Sequence, residues 1–192
     1  MISVTAALSI ISKVFYTPNS KTILLKDANG LILSKDVISQ IHMPPFRQSA
    51  MDGYALLFND KKSYQIIGEV KAGDSIDYRL QPGQGVRIFT GARVPNDANT
   101  VVIQEKVNRS EDTIIINGEI HPNQNIRAVG EQIRKEDLAL TKGTKLTPAG
   151  IGFLAGLGIT KVDVYDPPRV AIITTGNELV TPGEKLEEGK IY

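Results

Sequence analysis

The sequence predicts an α+β chain of more than one domain, and three observations carry that reading. A helical apolar stripe opens the chain, short β-rich runs fill its middle, and a helix-then-strand pattern returns toward its end. Its 192 residues leave room for one large or two small domains. Hydrophobic residues make up 41% and charged ones 22%, an ordinary globular usage that points to neither a disordered tail nor a membrane span.

Ser3 precedes residues 4–15, where Val4, Ala7, Leu8, Ile11, Val14 and Phe15 recur at helical spacing, so a Ser3-capped helix with one apolar face is expected. Residues 22–25 and 31–38 are β-prone runs around Asn29-Gly30, a pair suited to positive φ, and read as a short extended pair. From Tyr54 onward YALLF, YQIIGEV, VRIFT, TVVIQE and TIIIN alternate with Gly, Asn, Asp and Pro at intervals suited to meanders, the pattern of an all-β, barrel-like module. After Asn125 the pattern changes. Thr147 at an N-cap and Pro148 at the first helical position open a short helix, with Gly156 and Gly158 near its stop. KVDVY then reads as a strand and DPP as a rigid break. The apolar run at 169–175 reads as a buried parallel-type strand ending in a Gly-containing turn. Such a strand needs parallel neighbours and covering helices, and little sequence follows it, so this third unit is expected to be incomplete.

A net charge of +1 and the absence of Trp give no basic or aromatic platform for nucleic acid, which leaves small molecules or proteins as partners. Without cysteine there is no disulfide frame and no thiolate metal site, consistent with a cytoplasmic protein. The apolar start lacks a basic leader region and is interrupted by Lys13, so it does not read as a signal peptide. The helix at 4–15 and the strand at 169–175 expose apolar surface that the chain has few residues to cover, and a homodimer is expected.

The chemistry rests on three loops. In PPFRQSAMDGYAL, at 44–56, Asp52-Gly53 alone is a common turn dipeptide. Pro44 and Pro45 restrict the backbone before it, and a carboxylate fixed in this way can bind a hard cation or act as a base. In FTGARVP, Thr90 and Gly91 offer a hydroxyl and amides to an anion, or simply form a strand end and turn. TTGNEL, at 174–179, follows the expected buried strand, where open α/β sheets place their ligands, and so puts Glu178 near a ligand unless it faces solvent. His42 and His121 lack metal-ligand spacing, and neither a nucleophile elbow nor a phosphate loop of the Walker type occurs. What remains are carboxylates, hydroxyls and amides, an inventory suited to handling oxyanions with magnesium.

Six stretches in order, PPFRQSAMDGYAL, IFTGARVP, VVIQE, NIRAVGEQI, LTPAGIGFLAGLGI and VAIITTGNELVTPGEKLEEGKIY, cover nearly the whole chain. With them it resembles the MoeA / gephyrin E-domain family, the molybdopterin molybdenumtransferases. The resemblance implies an enzyme of molybdenum cofactor biosynthesis that takes molybdate and adenylylated molybdopterin, uses Mg2+, and releases AMP. By motif, Asp52, Thr90 and Glu178 would be the catalytic residues, with Asp52 and Glu178 at the metal. Ser49, Gly91, Thr175 and Gly176 would contact the bound substrate.

The family architecture implies an N-terminal helix at 1–19 packed on a third domain, a first domain from 20–45 plus 133–166, an inserted β domain at 46–132, and the first strand of an incomplete molybdopterin-binding domain at 167–192. It also implies an elongated homodimer with a site shared between protomers, contact with a molybdopterin adenylyltransferase, and no membrane or nucleic-acid partner. Two departures stand out. Gln132 occupies the position of an expected aspartate and carries no charge. The family also continues well beyond GKIY, so the 192-residue chain alone is expected to be inactive. Molybdenum and tungsten are not distinguished. The alternative reading is a non-catalytic dimerising or scaffolding module of the gephyrin type.

Overall fold

The structure is a computed structural model that describes residues 2–192 other than 15 and 17. In chain order its elements are helix α1 (Val4–Lys13) and strands β1 (Ser20–Leu24), β2 (Val37–Ile38), β3 (Gln48–Ser49), β4 (Gly53–Leu56), β5 (Ser63–Val70), β6 (Gln84–Ile88), β7 (Thr100–Ile103), β8 (Val107–Ser110), β9 (Thr113–Ile116), β10 (Ile126–Arg127) and β11 (Leu138–Leu140), followed by helix α2 (Pro148–Gly156) and strand β12 (Lys161–Tyr165). The chain divides into two compact units, Thr22–Val164 and the paired segments Met1–Lys21 and Tyr165–Tyr192. No helix among the described residues is long and apolar enough to cross a membrane.

In the larger unit, a six-stranded sheet of order β7-β4-β6-β5-β9-β8 forms the β module. Its pairs are antiparallel except β5 with β6, which run parallel, so the expected meander is broken there and residues 71–83 make the crossover. The sheet buries both faces. Tyr54 and Leu56 of β4 join Tyr64, Ile66, Val102, Ile114 and Ile116 in one cluster. Ala55, between them, belongs to another with Val70, Val86, Ile88 and Val101, as alternation along a strand requires. A register shift between Ile66 and Glu69 lets residues of equal parity, Ile66 and Val70, point to opposite clusters. Gly68 lies in that bulge, where an added Cβ would meet the Tyr78 ring at 2.4 Å.

The rest of this unit is a small mixed α/β layer around Leu25, Ala28, Leu33, Leu146, Leu154, Val162 and Val164. As expected, the Thr147 hydroxyl caps α2 by accepting from Gly150 N, and Pro148 starts the helix. The runs at 22–25 and 31–38, expected to pair with each other, do not. β1 pairs with β12 and β2 with β11, while Ile32 and Leu33 bridge Lys145 and Val164. The reason lies in the core. Leu25–Asp27 winds a single 3-10 turn that buries Leu25 and Ala28, and a local hairpin would forgo that burial.

In the smaller unit, α1 starts at the Ser3 cap, whose side chain accepts from Ala6 N at 3.2 Å, and ends at Lys13. Phe15 of the expected stripe lies outside the described residues. Val4, Leu8 and Ile11 are all exposed. The two segments are joined by the Lys21–Asp166 ion pair and by Asp166 N donating to Asn19 O at 2.8 Å. The strand expected at 169–175 is not formed, and Ile172 and Ile173 are 86% and 84% exposed. No described residue offers this segment a hydrogen-bonded ladder, and apolar β-prone side chains do not make a strand without one.

Candidate functional site

Sheet register brings the first two loops together. Gly53, which begins β4, lies opposite Ile88 at the end of β6 and Ile103 at the end of β7, so Asp52 emerges where three strand ends meet. Asp52 O accepts from Gln104 N at 3.1 Å, which fixes the backbone on one side. Gly53 is required by close approach, because a Cβ there would sit 1.9 Å from Val102 O. The Asp-Gly pair is therefore a strand entry pressed against β7.

On the other side, Asp52 Oδ1 accepts from Thr90 N at 2.7 Å and from Thr90 Oγ1 at 2.8 Å. These two bonds, the backbone one first, hold the Asp52 carboxyl below its usual value near 3.8, and the Arg87 guanidinium adds a smaller pull in the same direction. Asp52 and Thr90 are both exposed, and Asp52 Oδ2 has no donor among the described residues. The result is a fixed, ionised carboxylate with one oxygen facing outward.

Ser49 and Gly91 build the frame behind it. Gly91 N donates to Ser49 O and Ser49 N to Ala92 O, both at 2.9 Å. Ser49 is fully buried, and its hydroxyl donates to Met51 O at 2.7 Å, closing the turn that leads to Asp52. Gly91 holds φ +85°, a left-handed conformation natural to glycine. The N–H groups of Thr90, Gly91 and Ala92 all have internal acceptors, so these amides serve the junction and are not aimed at an outside anion.

Sequence reasoning missed Arg87 and Gln104. Arg87 lies 5.1 Å from the Tyr54 ring centroid and 4.9 Å from that of Phe89. Its Nη1 donates to Gly53 O at 3.0 Å and its Nη2 to Gln104 Oε1 at 2.5 Å. The guanidinium thus clamps the three strand ends that present Asp52. The available signal was an arginine inside the alternating run VRIF, flanked by Val86 and Ile88, both fully buried.

Thr175, Gly176 and Glu178 belong to the smaller unit. Gly176 has φ +131°, and an added Cβ would come within 2.5 Å of both Glu178 carboxylate oxygens. Ile191 N donates to Glu178 O at 2.8 Å and Lys190 Nζ to Asn177 O at 2.6 Å, so this loop is folded onto the GKIY segment. The Glu178 side chain is exposed. Gln132 is exposed in the larger unit, its N–H donating to Met43 O at 2.9 Å beside Pro44. Among the described residues no group of three or more His, Asp or Glu side chains is placed to hold a metal ion. Asp52 Oδ2 is one oxygen ligand, and Mg2+ bound with substrate phosphates needs only one or two protein carboxylates.

Residues 2–158 match the family profile described as the MoeA N-terminal region, domain I and II. This chain belongs to the MoeA family. A molybdopterin molybdenumtransferase of Haemophilus influenzae is 40% identical over 172 residues, covering 88% of this chain and 43% of that protein. One of Staphylococcus epidermidis is 34% identical and covers 99% of the chain and 47% of the relative. The crystal structure of a molybdopterin biosynthesis MoeA protein from Pyrococcus horikoshii superposes with a TM-score of 0.79 at 32% identity, over 100% of this chain and 51% of that one. The chain thus spans less than half the length of these curated MoeA relatives. Both curated relatives are named molybdopterin molybdenumtransferases, and the solved structure is named a molybdopterin biosynthesis protein.

Proposed function

We propose that this chain supplies the Asp52–Thr90 part of a site that inserts molybdenum from molybdate into adenylylated molybdopterin, with release of AMP. The observation that carries the reading is the carboxylate held at 2.7 and 2.8 Å by Thr90 at the meeting of three strand ends, in a chain of the MoeA family. Asp52 enters ionised and pre-aimed, so substrate binding requires no reorganisation of it. Thr90 keeps Oδ1 occupied and leaves Oδ2 for a cation. Mg2+ would be held there by Asp52 with substrate phosphate oxygens and water, and would screen phosphate charge. Ser49 and Gly91 hold the Asp52 turn, and Thr175 and Gly176 shape the Glu178 loop for the substrate.

The same reading assigns 20–45 with 133–166 to a first domain, 46–132 to an inserted second and 167–192 with the N-terminal helix to a third. The exposed apolar side chains of α1 support a homodimer, which is also the surface that a gephyrin-type scaffolding role would use. Contact with a molybdopterin adenylyltransferase follows from the substrate, which that class of enzyme produces.

The test is a chimera joining this chain to the portion of the Haemophilus influenzae relative outside the match, supplied with adenylylated molybdopterin, Mg2+ and molybdate. AMP release is expected, with Asp52→Ala slowing it about 100-fold or more. Turnover unchanged by Asp52→Ala overturns the assignment. A folded, dimeric chimera without turnover supports the scaffolding role.

A further inference from the structure

We propose a second ligand site, distinct from the Asp52 junction: a cleft of about 410 Å³ between Phe46, Arg47, Arg93, Val94 and Val129 that takes an organic anion, a phosphate monoester on an apolar or aromatic body. The proposal does not rest on the molybdenum reading. Arg47 is half-buried and held rigidly, its Nη1 donating to Asn96 O at 3.3 Å and its Nη2 to Ala98 O at 2.5 Å. A guanidinium has five N–H donors, so three remain after those bonds. Arg93, also half-buried, reaches the same cleft from the segment that follows Thr90 and Gly91. Val94 N donates to Arg47 O at 2.9 Å, and Gln48 and Arg93 form an antiparallel bridge, so both arginines stand on one frame.

Charge identifies the ligand. Among the described residues neither arginine is in an ion pair, and no carboxylate lines the cleft. The acidic side chains of the adjoining loop are engaged elsewhere. Asp77 accepts from Asn96 N and Nδ2 at 3.1 and 2.6 Å, and Asp97 accepts from Leu80 N at 3.1 Å and faces Arg79 at 3.8 Å. Two half-buried guanidiniums without a counter-ion in a walled cleft favour an anion, and Arg forks suit phosphate oxygens in particular. Shape identifies the rest. Val94 forms a buried apolar floor, with Phe46 and Val129 beside it, and the volume falls in the range of about 300 to 1,000 Å³ typical of small organic ligands. An inorganic ion would leave most of it empty.

Amide-detected NMR titration of the 192-residue chain with phenyl phosphate, inorganic phosphate and phenol tests both halves of the assignment. Phenyl phosphate is expected to shift the amides of Phe46, Arg47, Arg93 and Val129, and Arg93→Gln is expected to weaken it at least about tenfold. Inorganic phosphate and phenol are each expected to bind at least about tenfold more weakly than phenyl phosphate. Arg47→Lys keeps the charge but loses the two carbonyl anchors, and is expected to weaken binding while the amides of β4 to β7 stay in place. No shift at those four residues up to about 10 mM, a constant unchanged by Arg93→Gln, or inorganic phosphate binding as tightly as phenyl phosphate would each overturn the proposal.

Discussion

Residues 101–103 and 170–173 are similarly apolar and β-prone, yet their fates differ. Val101 and Val102 are fully buried in β7, paired to β4 across a four-residue register, whereas Ile172 and Ile173 are 84% or more exposed and unpaired. The comparison separates propensity from structure: β-branched side chains are present on both segments, but only the one with hydrogen-bonded neighbours becomes a strand. The site residues follow the same division. Asp52 is gripped from two sides by such neighbours, while among the described residues Glu178 is held through its backbone alone.

The largest effect that sharpens this contrast is Ile88→Ala, expected to lower stability by about 2–5 kcal/mol in urea unfolding followed by circular dichroism. Ile172→Ala is expected to change it by less than about 0.5 kcal/mol. Comparable losses from both would break the comparison. Gly53→Ala comes next, at about 1–3 kcal/mol, because its Cβ would meet main-chain atoms of β7 that cannot step aside. Its spectrum is expected to show altered amides at Thr90 and Gln104, and an unchanged spectrum would mean that β4 and β7 can separate freely.

Smaller effects concern titration. A carboxylate whose folded pKa lies below its unfolded value near 3.8 stabilises the fold above that pH and loses the contribution as pH falls through the folded value. Thr90→Val removes the hydroxyl donor and keeps the N–H, so the Asp52 carboxyl carbon is expected to titrate at higher pH, still below the ordinary value. The acid arm of the stability curve is expected to flatten with it. A midpoint that stays put would show that Thr90 Oγ1 does not hold the carboxylate in solution. The smallest shift is expected for Arg87→Lys. It keeps the charge but cannot bridge Gly53 O and Gln104 Oε1, so any rise in the Asp52 midpoint reads the clamp alone.

What was legible in the sequence was local or belonged to a motif. The Ser3 and Thr147 caps and the Pro148 helix start depend on neighbours within a few residues and stand as read, while the KVDVY strand stands because distant β1 supplies its ladder. The junction of Asp52 with Thr90 and the Arg87 clamp depend on which strands pair and in what register, which residue order alone does not disclose. The hairpin expected around Asn29-Gly30 failed for a related reason. Gly30 does adopt φ +80°, but burial of Leu25 and Ala28 chose other partners for the flanking runs. At 169–175 the continuous apolarity and the need for parallel neighbours are both legible, and the strand expected there does not form because no described residue supplies that ladder.

The distance in sequence between Asp52 and its supports also sets when the site can exist. Its carboxylate waits for Thr90, 38 residues on, and its carbonyl for Gln104, while β5 and β6 cannot pair in parallel until residues 71–83 have looped across. Contacts of such long range form slowly, because the loop must close before any bond rewards it. The α1 helix draws only on residues close in sequence, but the carboxylate at position 52 gains its two bonds only once Thr90 has been made and β6 lies beside β4. The chemistry of this junction is acquired late, as a property of the finished sheet rather than of the motif that encodes it.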